Sequence, residues 1–165
     1  MGRAARVWAL IPVEELEQQP LFVEFDPLSL RAVAALMTRR DAPSGTVLLE
    51  QGQRSGGVFV VLSGQVNMIR TEDAGPAALL GTLGPGSLLG ATAALDGAPR
   101  SASIVATQAS VLAALPATAF MELMEGRSRV ALRFQLAVVC SLFRDLRRGN
   151  RLLAATLVPG DPPPS

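Results

Sequence analysis

No histidine, no tyrosine and no lysine occur among the 165 residues, and cysteine occurs once, at Cys140. Each absence removes chemistry. Without histidine there is no Ser-His-Asp triad, no Cys-His pair and no imidazole to bind a metal. Without lysine there is no P-loop lysine and no Schiff base. One cysteine forbids an intrachain disulfide and a thiolate cluster for zinc, and is compatible with a reducing cytoplasm. What remains, carboxylates and hydroxyls, makes an enzyme an unfavoured reading. No metal site and no cofactor are expected.

Charge is scarce as well. Charged residues make up 18% of the chain against 49% hydrophobic ones, a balance that argues against disorder and supplies one sizeable core. The net charge of +1 gives no global signal for nucleic acid. Long apolar helical runs are missing too. The uncharged stretch 74–95 holds five glycines and two prolines, and the stretch 101–121 holds Gln108 and Pro116. Neither reads as a bilayer span. Arg3 and Arg6 precede a short apolar stretch, but Glu14 and Glu15 follow at once with no small-residue cleavage site, so no signal peptide is expected. The expectation is a cytoplasmic protein.

What is present falls into three textures. Val13, Leu16 and Leu21 suggest a short first helix. Asp26-Pro27 opens a second, with Asp as N-cap and Pro at the first helical position. Leu28, Leu30, Val33, Leu36 and Met37 would be its apolar face, and Arg39-Arg40-Asp41 its end. From 42 to 115, short β-type runs alternate with glycine turns: TVLLE, VFVVL, QVNMIR, AALLGTL, SASIVAT and SVLAAL. Such spacing predicts a sandwich or barrel. In the strand at 58–62, Val58, Val60 and Leu62 alternate with Phe59 and Val61, so both faces are apolar and a helix should cover one of them. After Pro116 a short helix reaches Gly126, and Ser128 can cap a long one running to about 155. A single domain over 1–156 is expected, with its barrel at about 42–115, its C-terminal helices at about 117–155, and a disordered tail over 157–165.

The long helix has two apolar faces. Leu132, Leu136, Val139, Phe143, Leu146, Asn150 and Leu153 recur at 4, 3, 4, 3, 4, 3. This is a heptad seam with an Asn at a core position, a device that fixes register and oligomer state. Ala131, Phe134, Val138 and Leu142 form the second face. One face would pack on the barrel and the other on a partner, a second copy included; alternatively both are buried in the monomer. Residues 127–151 also carry seven arginines against one aspartate. The favoured reading is a solvated face that complements the negative end of the helix dipole, ahead of an acidic partner.

These blocks in this order resemble the cyclic nucleotide-binding domain family. PLFVEFDPLSLRAVAAL (20–36), PSGTVLLEQG (43–52), VFVVLSGQVNMIR (58–70), LGTLGPGSLLG (80–90), LDGAPRSASIVA (95–106) and LPATAFMELM (115–124) carry the resemblance. It implies an α+β, mainly β fold: a double-stranded β-helix (jelly-roll) barrel flanked by N-terminal helices and a long C-terminal helix. It also implies that SLLGATAALDGAPRSAS (87–103) is the phosphate-binding cassette. The candidate ligand-binding residues are Leu89, Gly90, Ala91, Thr92, Arg100 and Ser101, and the implied ligand is cAMP or cGMP. Independently of the family, a short helix at 91–95 would aim free N–H groups at an anion, and the Arg100 fork could grip the same anion.

The family pattern departs here at one position. It usually reads Gly-Glu, the Glu accepting a hydrogen bond from the ribose 2′-OH, where this chain has Gly90-Ala91. Losing such a bond costs about 1.5–3 kcal/mol. Transcription regulators of the family follow the long helix with a helix-turn-helix, and this chain ends about ten residues after it. Sequence-specific DNA binding is therefore not expected, nor is membrane association. Two functions compete: a ligand-sensing regulatory module that signals through its C-terminal helix, and a degenerate domain that binds no nucleotide and serves as an assembly subunit. Cys140 has no expected role beyond packing.

Overall fold

The computed structural model describes residues 9–54, 56–72 and 75–157. Arg3, Arg6 and the expected tail beyond Leu157 lie outside the described residues. The chain runs β1 (Ala9–Leu10), α1 (Val13–Glu17), α2 (Pro27–Ala34), β2 (Thr38–Ala42), β3 (Val47–Leu49), β4 (Val58–Ser63), β5 (Val66–Arg70), β6 (Ala78–Leu83), β7 (Leu88–Leu89), α3 (Ala91–Asp96), β8 (Ser103–Ala106), β9 (Ser110–Leu115), α4 (Ala117–Glu125) and α5 (Arg129–Leu157). All pairings are antiparallel. One sheet has the order β1-β2-β9-β4-β7 and the other β3-β8-β5-β6. The two face each other as the expected jelly-roll barrel with helices at both ends of the chain.

The strand β4 divides the interior in two, as its two apolar faces require. Phe59 and Val61 point into the barrel with Leu48, Leu49, Val66, Ile104 and Leu112. Val58, Val60 and Leu62 point outward into a helical core with Leu16, Phe22, Leu30, Val33, Phe120, Phe134 and Val138. Each such fully buried side chain stabilises the fold by about 1.5–3 kcal/mol. Phe120 of α4 meets Phe134 of α5 edge-to-face, at 5.9 Å and 78°. The Gln135 amide fixes the corner between these helices by donating to the Leu123 and Gly126 carbonyls at 3.0 and 2.8 Å. Ser128 caps α5 as expected, its hydroxyl accepting from the Ala131 N–H at 3.1 Å. Asp26 caps α2 in the same way through Ser29.

Two expectations need correction near the start. The helix α2 stops at Ala34, and Leu28 and Leu36 are exposed rather than part of its apolar face. Arg39, Arg40 and Asp41 do not end a helix. They lie in β2, paired along its whole length with β9, so the barrel begins before 42. Charged side chains hid this strand. Arg39 is satisfied by the Glu15 carboxylate, at 2.6 Å to its farther oxygen, and Arg40 lies 5.4 Å from the Phe59 ring centre. At the other end α5 continues to Leu157, and its last turn holds no basic residue. The arginines of 144–151 therefore sit too far from the helix end to complement its dipole, which acts within the last turn.

Candidate functional site

The cassette is a strand, a tight turn and a short helix. Leu88 and Leu89 of β7 pair with Val60 and Phe59 of β4. Gly90 then turns the chain at φ +81° and α3 begins at Ala91. Glycine is required at this turn on two counts. The left-handed conformation disfavours a side chain, and a Cβ would meet the Arg100 guanidinium at 2.4 Å and Leu49 at 2.9 Å. After α3, Asp96 closes the return turn by accepting from the Ala98 N–H at 2.8 Å, and Arg100 comes back beneath Gly90.

Arg100 is only 5% exposed, which is unusual for a cation. Its two Nη atoms make three hydrogen bonds within the chain. One Nη donates to the Gly90 carbonyl, and the other to the carbonyls of Gly56 and Gly57 at 3.1 and 2.8 Å. Burial alone pulls its pKa below the ordinary arginine value, and among the described residues no carboxylate forms an ion pair with it. The sequence expectation was a fork presented to an anion. The geometry is a fork stitched to three backbone carbonyls, so an anion here would have to share it. The glycines at 56 and 57 had read only as a turn; nothing in their sequence announces carbonyl acceptors.

The remaining predicted residues gather around it unevenly. Gly90, Thr92, Arg100 and Ser101 line one cavity of about 220 Å³. Thr92 and Ser101 are exposed, with their hydroxyls available. Leu89 and Ala91 are both 2% exposed and belong to opposite cores, Leu89 to the barrel interior and Ala91 to the helical side. A second cavity of about 470 Å³ lies between the barrel and α5, lined by Met68, Leu80, Leu83, Leu142, Leu146 and Leu152 among others. The two cavities share Met68, Gly90, Thr92 and Ile104.

Sequence reading missed the second cavity. Alternation in β5 and β6 could have marked Met68 and Leu83 as inward, but the helix that roofs them is more than fifty residues away in sequence. Arg148 ties that roof down by donating to the carbonyl of Thr82 on β6, while the Thr82 hydroxyl donates to Asn67 at 2.9 Å. Asp145 also lines the larger cavity. Burial raises its carboxyl above the usual range, and the nearby Arg144 and Arg148 act against that rise.

The seam of α5 is separate from both cavities for most of its length. Leu132, Leu136, Val139, Phe143, Leu146 and Leu153 are 43–62% exposed, and Asn150 is exposed with them. Ala131, Phe134 and Val138 are buried against the body, and Leu142 is partly so. The two apolar faces are therefore distinct in environment, and the alternative in which both are buried in the monomer does not hold. Cys140 is exposed beside the seam rather than packed. Among the described residues no group of three metal-ligating side chains comes together, and no helix is long and apolar enough to cross a membrane.

Comparison with known proteins converges on one family. The chain is 35% identical over 100 residues to the cyclic AMP receptor protein of Thermus thermophilus, which covers 61% of this chain and 46% of that protein. It is 31% identical over 104 residues to the cAMP-dependent protein kinase regulatory subunit of Yarrowia lipolytica, covering 63% and 26%. The chain thus spans less than half the length of these curated relatives. Its fold matches the crystal structure of a cyclic nucleotide-binding domain from Methylobacillus flagellatus with a TM-score of 0.77, at 23% identity, covering 91% of this chain and 84% of that one. Residues 39–127, from the first charged strand to the turn before α5, match the cyclic nucleotide-binding domain itself, and the chain belongs to that family.

Proposed function

We propose that this chain is a non-catalytic, cytoplasmic regulatory module that takes a cyclic nucleotide or another phosphate-bearing ligand and signals through α5 to a partner. The phosphate would lie in the smaller cavity, against Gly90, Thr92, Arg100 and Ser101, and the rest of the ligand in the larger one. One observation carries this reading: the two cavities adjoin, sharing four lining residues, and the larger one is walled by both the barrel and α5. A ligand filling both touches the helix, so it binds the docked and undocked helix differently and shifts their populations. The exposed seam offers the output surface, with a second copy of the chain as its simplest partner.

A specific observation favours the competing reading, a domain that binds no nucleotide and acts as an assembly subunit. Ala91 is buried in the helical core and supplies no acceptor, and the Arg100 fork already makes three bonds to carbonyls. Calorimetric titration with cAMP and cGMP separates the two, using Arg100→Met as the control. Micromolar binding that the variant loses supports the sensor. Silence at millimolar nucleotide supports the assembly subunit.

A further inference from the structure

The C-terminal half of α5 overhangs a third cleft, which takes in Ser87 at the edge of the cassette and Asn150 of the seam and shares Asp145 and Arg148 with the larger cavity. The cleft has a volume of about 640 Å³ and lies between the helix and the turn joining β6 to β7. Arg144, Arg147, Arg148 and Arg151 form one wall, and Pro20 and Pro85 belong to the other. The proline wall is stiff. The ring fixes φ at each proline. Gly86, at φ +83°, is pressed so close to Pro20 that a Cβ would come within 2.7 Å of it, and its N–H donates to the Val61 carbonyl at 2.8 Å.

The four arginines recur at i, i+3, i+4 and i+7, which puts them on one flank of the helix within about 10 Å of axial length. Among the described residues none of them forms an ion pair. Arg144 donates to the Cys140 carbonyl at 3.4 Å and Arg148 to that of Thr82, both neutral acceptors, and both act on the Asp145 carboxyl through space. Asp145 is the single acid in the lining. Ser141, only 3% exposed, adds a buried hydroxyl to the floor. A surplus of cations held in a walled cleft selects for an anion, and a guanidinium fork matches phosphate oxygens two at a time. Four forks over this length exceed what one phosphate can use. The volume is that of a small-molecule site, for which the usual range is about 300–1,000 Å³.

We propose that this cleft binds a polyphosphate anion, either free or carried by a nucleoside. The test is calorimetry at physiological salt with sodium triphosphate, ATP and orthophosphate as probes. The proteins are the full chain, an Arg147→Gln/Arg151→Gln variant and an Arg127→Gln/Arg133→Gln variant. Arg147 and Arg151 are exposed, and neither takes part in the Arg148 link to β6. Triphosphate is expected to bind at least about tenfold more tightly than orthophosphate, and the Arg147→Gln/Arg151→Gln variant to lose about tenfold or more of that affinity. Arg127→Gln/Arg133→Gln, which removes the same charge from outside the cleft, should leave it unchanged. ATP binding more tightly than triphosphate identifies the nucleoside-borne form; equal binding identifies the free chain. The proposal is overturned by no triphosphate binding at millimolar concentration, by binding that the Arg147→Gln/Arg151→Gln variant retains, or by binding that Arg127→Gln/Arg133→Gln weakens equally. A DNA duplex bound by these arginines while triphosphate is not would overturn it equally.

Discussion

The barrel and α5 solve the same burial problem to different degrees. Along β4 both faces are covered, one by the opposite sheet and one by helices. Along α5 only one face is covered, and six large apolar side chains of the seam stay more than two-fifths exposed. The strand β4 is therefore covered by folding alone, whereas the helix carries surface whose apolar area has no counterpart in the monomer. Polar groups follow the same division. Arg100 in the barrel donates to three fixed carbonyls, while the α5 arginines hang over a cleft with few partners. Interiors are settled by folding; half-covered elements are settled by what binds them.

Three substitutions probe this contrast, in descending order of effect on stability. Phe134→Ala empties the place where helix and barrel meet, and should cost about 3–5 kcal/mol in denaturant unfolding. A loss below about 1 kcal/mol would mean that α5 is not part of the cooperative unit and that the contrast is drawn in the wrong place. Arg100→Met strips three buried carbonyls of their donors and should cost about 1.5–3 kcal/mol. Stability that holds or rises would instead show that the buried cation is a net burden in the unliganded protein, relieved only by an anion. Leu136→Arg together with Val139→Arg should move unfolding by no more than about 0.5 kcal/mol for a monomer, because both sites are exposed. Light scattering on the same variant should show a change from dimer to monomer. Identical masses for variant and parent would remove the seam as a self-assembly surface.

The sequence revealed most where one periodicity was unbroken. Alternation at 58–62 foretold the two cores on either side of β4, and the 4, 3 spacing of α5 separated its exposed seam from its buried face. It misled where charge masked a period. Thr38–Ala42 holds two arginines and an aspartate, so its pairing with β9 was legible only through partners distant in sequence, such as Glu15 and Phe59. The cassette was legible as a turn-helix-turn from Gly90, Asp96 and the return through Pro99. The occupation of the Arg100 fork was not, because its acceptors at Gly56 and Gly57 are main-chain oxygens, and main-chain oxygens have no signature in composition. The larger cavity escaped for a similar reason, since it depends on where α5 comes to rest on β5 and β6.

The bond from Arg148 to the Thr82 carbonyl has a consequence outside ligand chemistry. The strand β6 is the last in its sheet, and an outermost strand offers its backbone to any foreign strand that drifts past. Here a guanidinium from the chain's own helix occupies one of those carbonyls, and a bulge between Met68 and Ile69 breaks the regular register behind it. An incoming strand would have to displace a cation and follow an irregular template. The link that holds α5 in place thereby also guards the sheet against edge-to-edge aggregation, a protection that lasts only while the helix stays docked.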